Sequence, residues 1–306
     1  MAEKIKIDFL GTGSAIPTKR RNHVAVLLRF KDEVILFDCG EGTQRQFRKA
    51  KLNPCKITKI LISHWHGDHV LGLPGLLQTL MLNGYNKELE IYGPKGTNER
   101  VRKYFDLIGR KGQNLDVRVR EISDEKFFEN SDFYLESKSM EHDSPCNAYA
   151  FVVKEKTRLD KEKLKKLKVP NSSLVGELVK GKVVEIGGKK FDGKKLIYSE
   201  PARKVSFVLD TRMNKNAVEI SKNSDVLICE STYSAEENEI AEEYGHLTSE
   251  NAAMIAKKAK AKKLILFHLS QRYDEIPKVI LGEAKVALKG TKIDVSVAED
   301  FDKVEL

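Results

Sequence analysis

Cysteine is scarce in this 306-residue chain, and the four residues Cys39, Cys55, Cys146 and Cys229 form no Cys-x-x-Cys pair. Their scatter argues against a disulfide scaffold and against a structural zinc ribbon. The sequence also lacks an uncharged apolar stretch of the roughly 20 residues that a membrane-spanning helix needs. No apolar signal core follows Met1. We therefore expect a cytoplasmic protein with buried thiols and no membrane partner.

Acidic residues are too few to balance the basic ones. The 54 Lys and Arg residues exceed the 45 Asp and Glu residues by nine, which gives a net charge of +9. Such a surface attracts polyanions, although charge alone does not establish nucleic-acid binding. The hydrophobic fraction of 41% supports a core large enough for a globular enzyme.

Short apolar runs between Gly-rich breaks predict strands in both halves of the chain. The predicted strands are residues 5–10, 24–30, 34–38, 57–63, 89–92, 115–122, 133–139, 205–209, 226–229 and 264–267. Helical periodicity predicts helices over residues 71–82 and 251–263, the second capped by Thr248 or Ser249. Two β-rich halves with outer helices are compatible with a four-layer sandwich, but periodicity alone does not select it over other α/β layouts.

The composition shifts within residues 154–195, where fourteen Lys and Arg residues stand against six Asp and Glu residues. Pro170, Asn171, Ser172 and Ser173 lie in the middle of this segment. A stretch with so much charge cannot bury much apolar area, and we expect either a solvated excursion from the core or a flexible arm.

Three His residues and one Asp lie within six positions, at His64, His66, Asp68 and His69. They follow the predicted strand 57–63, so the alternating pair His64 and His66 faces one side of an extended segment. A turn at Gly67 can bring Asp68 and His69 to a second point. Imidazole and carboxylate groups suit zinc or another first-row divalent ion, and the run therefore predicts two metal positions.

Four side chains cannot complete two metal sites, so further ligands must come from later strand ends. His142 follows the predicted strand 133–139, and His268 follows the strand 264–267. Asp210 closes the strand 205–209 and could bridge two ions. From the residues alone, each of these three assignments stays open.

The His-x-His-x-Asp-His run followed by His142, Asp210 and His268 resembles the metallo-β-lactamase superfamily over essentially the whole chain. The resemblance implies a single domain over residues 1–306 with a four-layer αββα fold. It also implies two zinc ions, the first held by His64, His66 and His142 and the second by Asp68, His69 and His268, with Asp210 as the bridge. A redox branch has Glu in place of the second His of the run, so His66 favours hydrolysis.

Further motifs resemble the tRNase Z family, the tRNA 3′-processing endonucleases of that superfamily. Residues 11–22 resemble its N-terminal loop with a Pro-x-Lys-x-Arg-Asn element, residues 246–248 its His-x-Thr element, and residues 268–273 its C-terminal element. The first and last of these imply contacts with RNA phosphates by Lys19, Arg21, Asn22, Ser270 and Arg272. His246 would be a proton donor or transition-state stabiliser, although a surface His before a helix cap is the plainer alternative.

The same resemblance implies a homodimer that removes the 3′ trailer from precursor tRNA, with Asp68 as the base and residues 154–195 as an inserted tRNA-binding arm. Glu230, at a strand end, could orient His246. Two departures stand out, because the family's Gly-Pro element is absent from the arm and Leu209 replaces the Gly that usually precedes Asp210. The alternatives are a hydrolase of a small phosphodiester or ester, and an RNA-binding homologue without catalysis.

Overall fold

Residues 3–109, 115–170 and 172–306 are described in a computed structural model of the chain. Met1 and Asn171, which bore on the signal and arm predictions, lie outside these ranges. The strands of the described residues form two seven-stranded sheets and two two-stranded sheets. They are β1 (Lys6–Gly11), β2 (Ala25–Phe30), β3 (Glu33–Phe37), β4 (Lys59–Leu61), β5 (Leu89–Gly93), β6 (Val117–Glu121), β7 (Lys126–Glu129), β8 (Phe133–Met140), β9 (Cys146–Val153), β10 (Lys156–Leu159), β11 (Val183–Ile186), β12 (Lys189–Asp192), β13 (Ile197–Glu200), β14 (Arg203–Val208), β15 (Val226–Glu230), β16 (Lys263–Phe267), β17 (Asp294–Val297) and β18 (Lys303–Glu305).

The α-helices lie between these strands in chain order. They are α1 (Thr43–Lys49), α2 (Gly67–Val70), α3 (Leu73–Leu82), α4 (Thr97–Ile108), α5 (Lys161–Lys166), α6 (Val175–Val179), α7 (Lys215–Ile220), α8 (Asn238–Tyr244), α9 (Ser249–Ala259) and α10 (Lys278–Ala287). Thr248 is the N-cap of α9, and it accepts a hydrogen bond from the backbone N–H of Asn251. Among the described residues, none of the helices combines the length and the apolar character that crossing a membrane requires.

The two large sheets share one plan. The first has the order β18-β1-β2-β3-β4-β5-β6, and the second has the order β17-β16-β15-β14-β9-β8-β7. Strands β3 to β6 run parallel, and so do β14 to β17, whereas the remaining pairs are antiparallel. Parallel neighbours place their carboxyl ends at one edge of a sheet, which is where α/β proteins build ligand sites.

The side chains of each strand alternate between two apolar layers. Ile35 and Phe37 of β3 pack between the sheets, where Phe37 stacks on Phe207 with ring centroids 3.6 Å apart. Val34 and Leu36 point the other way, into the layer covered by α1, α3 and α4. The outer face of the second sheet packs in the same manner under α7, α9 and α10. The predicted four-layer αββα sandwich is thereby confirmed.

Sequence patterning located most core strands within a few residues but missed β9. All eight residues of β9 are buried, so its sequence lacks the alternation of polar and apolar residues by which a strand is predicted. The helix predicted over residues 71–82 begins earlier and is divided into α2 and α3 at Gly72. Helix α4 was also missed, and its apolar face contacts the core through Val101 and Phe105.

The basic segment forms a separate small unit between β9 and β14. Strands β10 and β13 pair as a stalk that carries α5, α6 and the hairpin of β11 with β12. Leu178, Ile186, Phe191 and Leu196 form a core of its own. The expectation that this segment buries little apolar area is therefore wrong, because apolar residues dispersed among its lysines come together when it folds. We call residues 154–200 the arm.

Candidate metal centre

Seven side chains that follow four strands, β4, β8, β14 and β16, converge at one edge of the two sheets. One ligand atom from each of His64, His66, His142 and Asp210 lies within 4.8 Å of the others, and the same holds for Asp68, His69, Asp210 and His268. Asp210 belongs to both groups, so the two clusters adjoin at its carboxylate. The structure thus brings together all seven residues that the sequence predicted as ligands.

The backbone conformation of residues 64–69 explains how one short segment supplies ligands to both clusters. The segment after β4 is extended up to His66, whose backbone (φ −74°, ψ 154°) is the N-cap of α2. The helix then begins at Gly67, which turns Asp68 and His69 towards the second cluster. The abrupt change from strand to helix therefore separates the two ligand groups by a few ångströms.

Four of the imidazoles are oriented through Nδ1. His69 Nδ1 donates to Asp38 Oδ2 at 2.7 Å, and His142 Nδ1 donates to the Gly245 carbonyl oxygen at 2.9 Å. His268 Nδ1 lies 2.9 Å from the Thr232 hydroxyl, and His64 Nδ1 lies 3.0 Å from the Ser63 hydroxyl. A second group that holds Nδ1 leaves the Nε2 lone pair for a metal, as in most metal-binding histidines.

Two buried polar atoms of the clusters have no hydrogen-bond partner among the described residues. They are His64 Nε2 and Asp210 Oδ1. Buried groups of this kind are nearly always satisfied, because an unmade bond in the interior costs about 1–3 kcal/mol. Nitrogen and carboxylate donors aimed at one point suit a divalent ion, and the residues present therefore fit a metal centre.

The electrostatics of the centre agree with this assignment. Burial and the neighbouring His69 hold the pKa of His64 well below its ordinary value, so its imidazole is neutral. Burial opposes charge on His69 as well, yet Asp68, Asp210 and Asp38 raise the pKa of His69 well above its ordinary value. Three carboxylates within reach of one imidazole make a site that attracts positive charge.

His246 lies beside the clusters rather than within either ligand group. Its Nδ1 is 3.2 Å from Glu230 Oε2 and 3.8 Å from Asp210 Oδ2. Glu230 is fully buried and accepts hydrogen bonds from Thr211 N at 2.7 Å and from the Thr232 hydroxyl at 2.7 Å. Burial lowers the pKa of His246, but Glu230 and Asp210 outweigh it and raise the value to about 9. Glu230 and Asp210 therefore favour the protonated imidazole.

The residues predicted to contact RNA fall into two groups. Lys19 and Arg272 are exposed, and Ser270 is half-buried at the N-cap of the 3-10 helix Gln271–Tyr273. The Arg21 side chain is only 3% exposed, and its Nη1 donates to Thr12 Oγ1 at 2.8 Å and to the Ala298 carbonyl at 2.5 Å.

Asn22 is likewise hydrogen-bonded within the protein. Its side-chain amide donates to the Glu41 carbonyl at 2.7 Å, and its backbone N–H donates to Asp300 Oδ2 at 2.9 Å. This geometry corrects the predicted role of Arg21 and Asn22, because both side chains hold the N-terminal loop in place rather than presenting donors to a phosphate.

Sequence reasoning missed the groups that orient the ligands. Asp38 follows β3 at the same sheet edge as the ligands, and it also accepts hydrogen bonds from Ser63 N and from the Ser63 hydroxyl, both at 2.7 Å. Its position at the close of a predicted strand was a usable signal. Thr232 and Gly245 gave no comparable signal, because their contacts depend on the three-dimensional arrangement of loops.

Comparisons with known proteins agree with this geometry. Ribonuclease Z of Methanosarcina mazei is 36% identical over 304 residues, which cover 99% of this chain and 98% of the relative. Ribonuclease Z of Enterococcus faecalis is also 36% identical, with coverage of 99% and 97%. The chain belongs to the ribonuclease Z family. The human short-form tRNase Z crystal structure matches with a TM-score of 0.69 at 28% identity and covers 98% of each chain.

Two further matches concern the fold and the first half of the chain. YhfI of Bacillus subtilis, a metallo-β-lactamase fold protein, matches with a TM-score of 0.71 and full coverage of both chains, but at 19% identity it supports the fold alone. A family model described as anti-Pycsar protein Apyc1 matches residues 5–164. That match ends within the arm and excludes Asp210 and His268, whereas the ribonuclease Z relatives span the whole chain.

Proposed function

We propose that this chain is a metal-dependent endoribonuclease that removes the 3′ trailer from precursor tRNA. The observation that carries the proposal is the pair of adjoining ligand clusters that share Asp210, in a member of the ribonuclease Z family. We assign two zinc ions to each subunit. His64, His66 and His142 would hold one, Asp68, His69 and His268 the other, and Asp210 would bridge them.

Divalent ions in these positions would polarise the scissile phosphate and make a nearby water more acidic. Side chains of the protein would accept and donate the protons of the reaction. The Asp68 carboxylate, which lies 3.3 Å from both His69 Nε2 and His268 Nε2, is placed to accept a proton from the attacking water. His246, held by Glu230, is placed to donate a proton to the leaving oxygen. The products would be a 3′-hydroxyl on the tRNA and a 5′-phosphate on the trailer.

The direct test is cleavage of a precursor tRNA that carries a 3′ trailer, with Asp68→Ala compared with the unaltered protein. Asp68→Ala should abolish the cut at the trailer junction and leave binding of the precursor intact. Asp225→Ala is the matched control, because it removes a carboxylate that lies at the opposite end of β15 and pairs with Lys262. Cleavage by Asp68→Ala at the original rate would refute the assignment.

We also propose that the arm binds tRNA through its exposed lysines. Its small core gives it a defined shape, and its excess of positive charge matches an RNA backbone. A variant that removes charge from the arm without deleting it tests this proposal. It replaces three exposed lysines of the arm by Gln, namely Lys165, Lys166 and Lys168. The matched control replaces three exposed lysines at the end of α9, namely Lys257, Lys258 and Lys260.

Each lost phosphate contact should reduce the slope of log affinity against log salt by about 0.7–0.9. The arm variant should therefore bind precursor tRNA with a slope smaller by about 2–3, and the α9 variant should leave it unchanged. Equal slopes in the two variants would contradict the arm's role. A small phosphodiester makes no use of the arm, so its hydrolysis should stay the same in both.

A homodimer that acts in the cytoplasm completes the proposal. Leu71, which precedes α3, and Leu82, its last residue, have 55% and 67% of their surfaces exposed and offer apolar area that a second subunit could cover. Light scattering should give about twice the 34.7 kDa chain mass for the unaltered protein, and Leu82→Glu should shift the mass to that of one chain. A monomer in both cases would contradict it.

A further inference from the structure

Tyr233 is an aromatic side chain that the chemistry described so far does not use. It follows β15 by three residues, and its backbone is fixed by the loop that carries His246. Tyr233 N donates to the Leu247 carbonyl at 3.3 Å, and Ser249 N donates to the Tyr233 carbonyl at 3.0 Å. Its ring centroid lies 5.9 Å from that of His246. The backbone of Tyr233 is therefore fixed to this loop, and its ring lies beside the residue that we assign as the proton donor.

The surroundings of the Tyr233 ring are those of a stacking surface. The side chain is only partly buried, and the guanidinium carbon of Arg272 lies 5.6 Å from its ring centroid. Glu237 Oε1 is 3.3 Å from Arg272 Nη1 and keeps that guanidinium in place. Within the described part of the chain, the contacts of the Tyr233 ring are those with His246 and Arg272.

Trp65, which lies between the ligands His64 and His66, already has internal partners. Its indole N–H donates to Thr97 Oγ1 at 2.9 Å, and its ring packs on Tyr104 with centroids 5.8 Å apart. It points to the opposite side of an extended segment from the two ligands, towards α4. Trp65 therefore serves the packing of α4, whereas the ring of Tyr233 lies beside His246.

The polarity of the cut identifies which nucleotide Tyr233 would meet, and this step rests on the proposed function. Hydrolysis that leaves the phosphate on the trailer expels the 3′ oxygen of the last tRNA nucleotide. The attacking water and the leaving oxygen stand roughly in line on opposite sides of phosphorus. A proton donor to the leaving oxygen therefore adjoins the ribose of that nucleotide, and its base is within reach of a ring next to His246.

We infer that Tyr233, together with Arg272, forms a subsite that stacks the base of the last tRNA nucleotide before the cut. Aromatic rings and guanidinium groups stack on every base, so the subsite positions the substrate without selecting a base identity. Positioning of this kind places the phosphorus between Asp68 and His246. Tyr233 is thus a binding residue for the substrate and takes no part in proton transfer.

The test is a double substitution of protein and substrate. Tyr233→Ala and Tyr233→Phe are compared with the unaltered protein on precursor tRNA whose last nucleotide before the cut is either normal or abasic. Loss of one stacked base is worth about 10-fold in KM, within the range measured for base–aromatic contacts. Tyr134→Ala is the matched control, since Tyr134 lies at the far end of β8 with the Lys126 ammonium 4.4 Å from its ring centroid.

Tyr233→Ala should raise KM about 10-fold on the normal precursor, Tyr233→Phe should restore it, and the abasic precursor should show the same loss with the unaltered protein. Tyr233→Ala should then cause no additional loss on the abasic precursor, because the two changes remove one contact. A full additional loss there, or no loss on the normal precursor, would overturn the subsite. Failure of the unaltered protein to cut any precursor would instead refute the proposed function.

Discussion

Asp38 offers the sharpest test of how the protein prepares its metal ligands. One carboxylate holds three groups, the Ser63 backbone N–H, the Ser63 hydroxyl and His69 Nδ1, each at 2.7 Å. Its backbone has φ of 55°, a left-handed conformation that residues other than glycine adopt at a cost. The bonds to Ser63 and His69 hold Asp38 in this conformation, and the same bonds fix His69 with Nε2 directed at the centre.

Replacing Asp38 by Asn keeps the shape and removes one acceptor. An amide NH₂ can only donate, so either the Ser63 N–H or the His69 Nδ1–H must face another donor. His69 would then lose the partner that fixes its tautomer. Changes to such orienting groups cost about 10–100-fold in metal affinity, or about 1.4–2.7 kcal/mol. We expect Asp38→Asn to lie in that range and Asp38→Ala at its upper end.

The assay is competition for zinc between the protein and a chromophoric chelator, with circular dichroism to verify the fold. Tyr85→Phe is the control, because it removes a buried hydrogen bond of 2.8 Å to the Ile57 carbonyl at a distance from the ligands. It should cost some stability and no metal affinity. Unchanged zinc affinity in folded Asp38→Asn, or an equal loss in Tyr85→Phe, would show that Asp38 does not orient His69 for the metal.

Three further predictions concern stability and local geometry. Burial raises the pKa of Asp300 from 3.8 to about 6, so the folded state disfavours the ionised carboxylate. The free energy of unfolding, relative to that of Asp300→Ala, should therefore fall by up to about 3 kcal/mol as the pH rises from 4 to 7. Urea titrations at four pH values measure this difference, and a flat or rising difference would contradict the prediction. Gly245→Ala should weaken zinc binding, because at φ of 72° the new Cβ would lie 2.8 Å from His142 Nδ1, and unaltered affinity would count against that contact. Phe207→Ala should cost about 3–5 kcal/mol in thermal or urea unfolding, since it removes the ring stacked on Phe37 between the sheets, and a loss below 1 kcal/mol would disprove the packing.

Part of the ligand set could be predicted from a local signal. The spacing of His64, His66, Asp68 and His69 is unusual for packing, and His142, Asp210 and His268 each follow a predicted strand. Parallel strands gather their carboxyl ends at one edge of a sheet, which makes these three residues candidates. The residues alone left all three assignments open, and the resemblance to the metallo-β-lactamase superfamily selected them. The structure brings all seven side chains together.

The role of the N-terminal loop could not be predicted in the same way. Arg21 and Asn22 look like phosphate ligands beside Lys19, but their partners Ala298 and Asp300 lie more than 270 positions away in sequence. Only the folded chain brings the β17–β18 turn against that loop. A motif identifies residues that matter, and the contacts of each side chain decide whether it binds substrate or holds the backbone.

The arm shows the opposite limitation. Its charge and position were plain from the sequence, yet its core was hidden because Leu178, Ile186, Phe191 and Leu196 are spread over α6, two strands and the turn after a 3-10 helix. No single element of the arm has an apolar face long enough to register as amphipathic. Its stability depends on the packing of several short elements against one another, and amino-acid composition does not show which elements pack together.

Returning metal to depleted protein and following the trailer cut tests whether the seven-ligand centre carries out the cleavage. The metal-free protein should bind precursor tRNA without cutting it, and titrated zinc should restore a single cut after the last tRNA nucleotide, saturating near two ions per chain. Cleavage at that position without metal, or metal-saturated protein that leaves the trailer attached, would show that this metal centre does not remove the trailer.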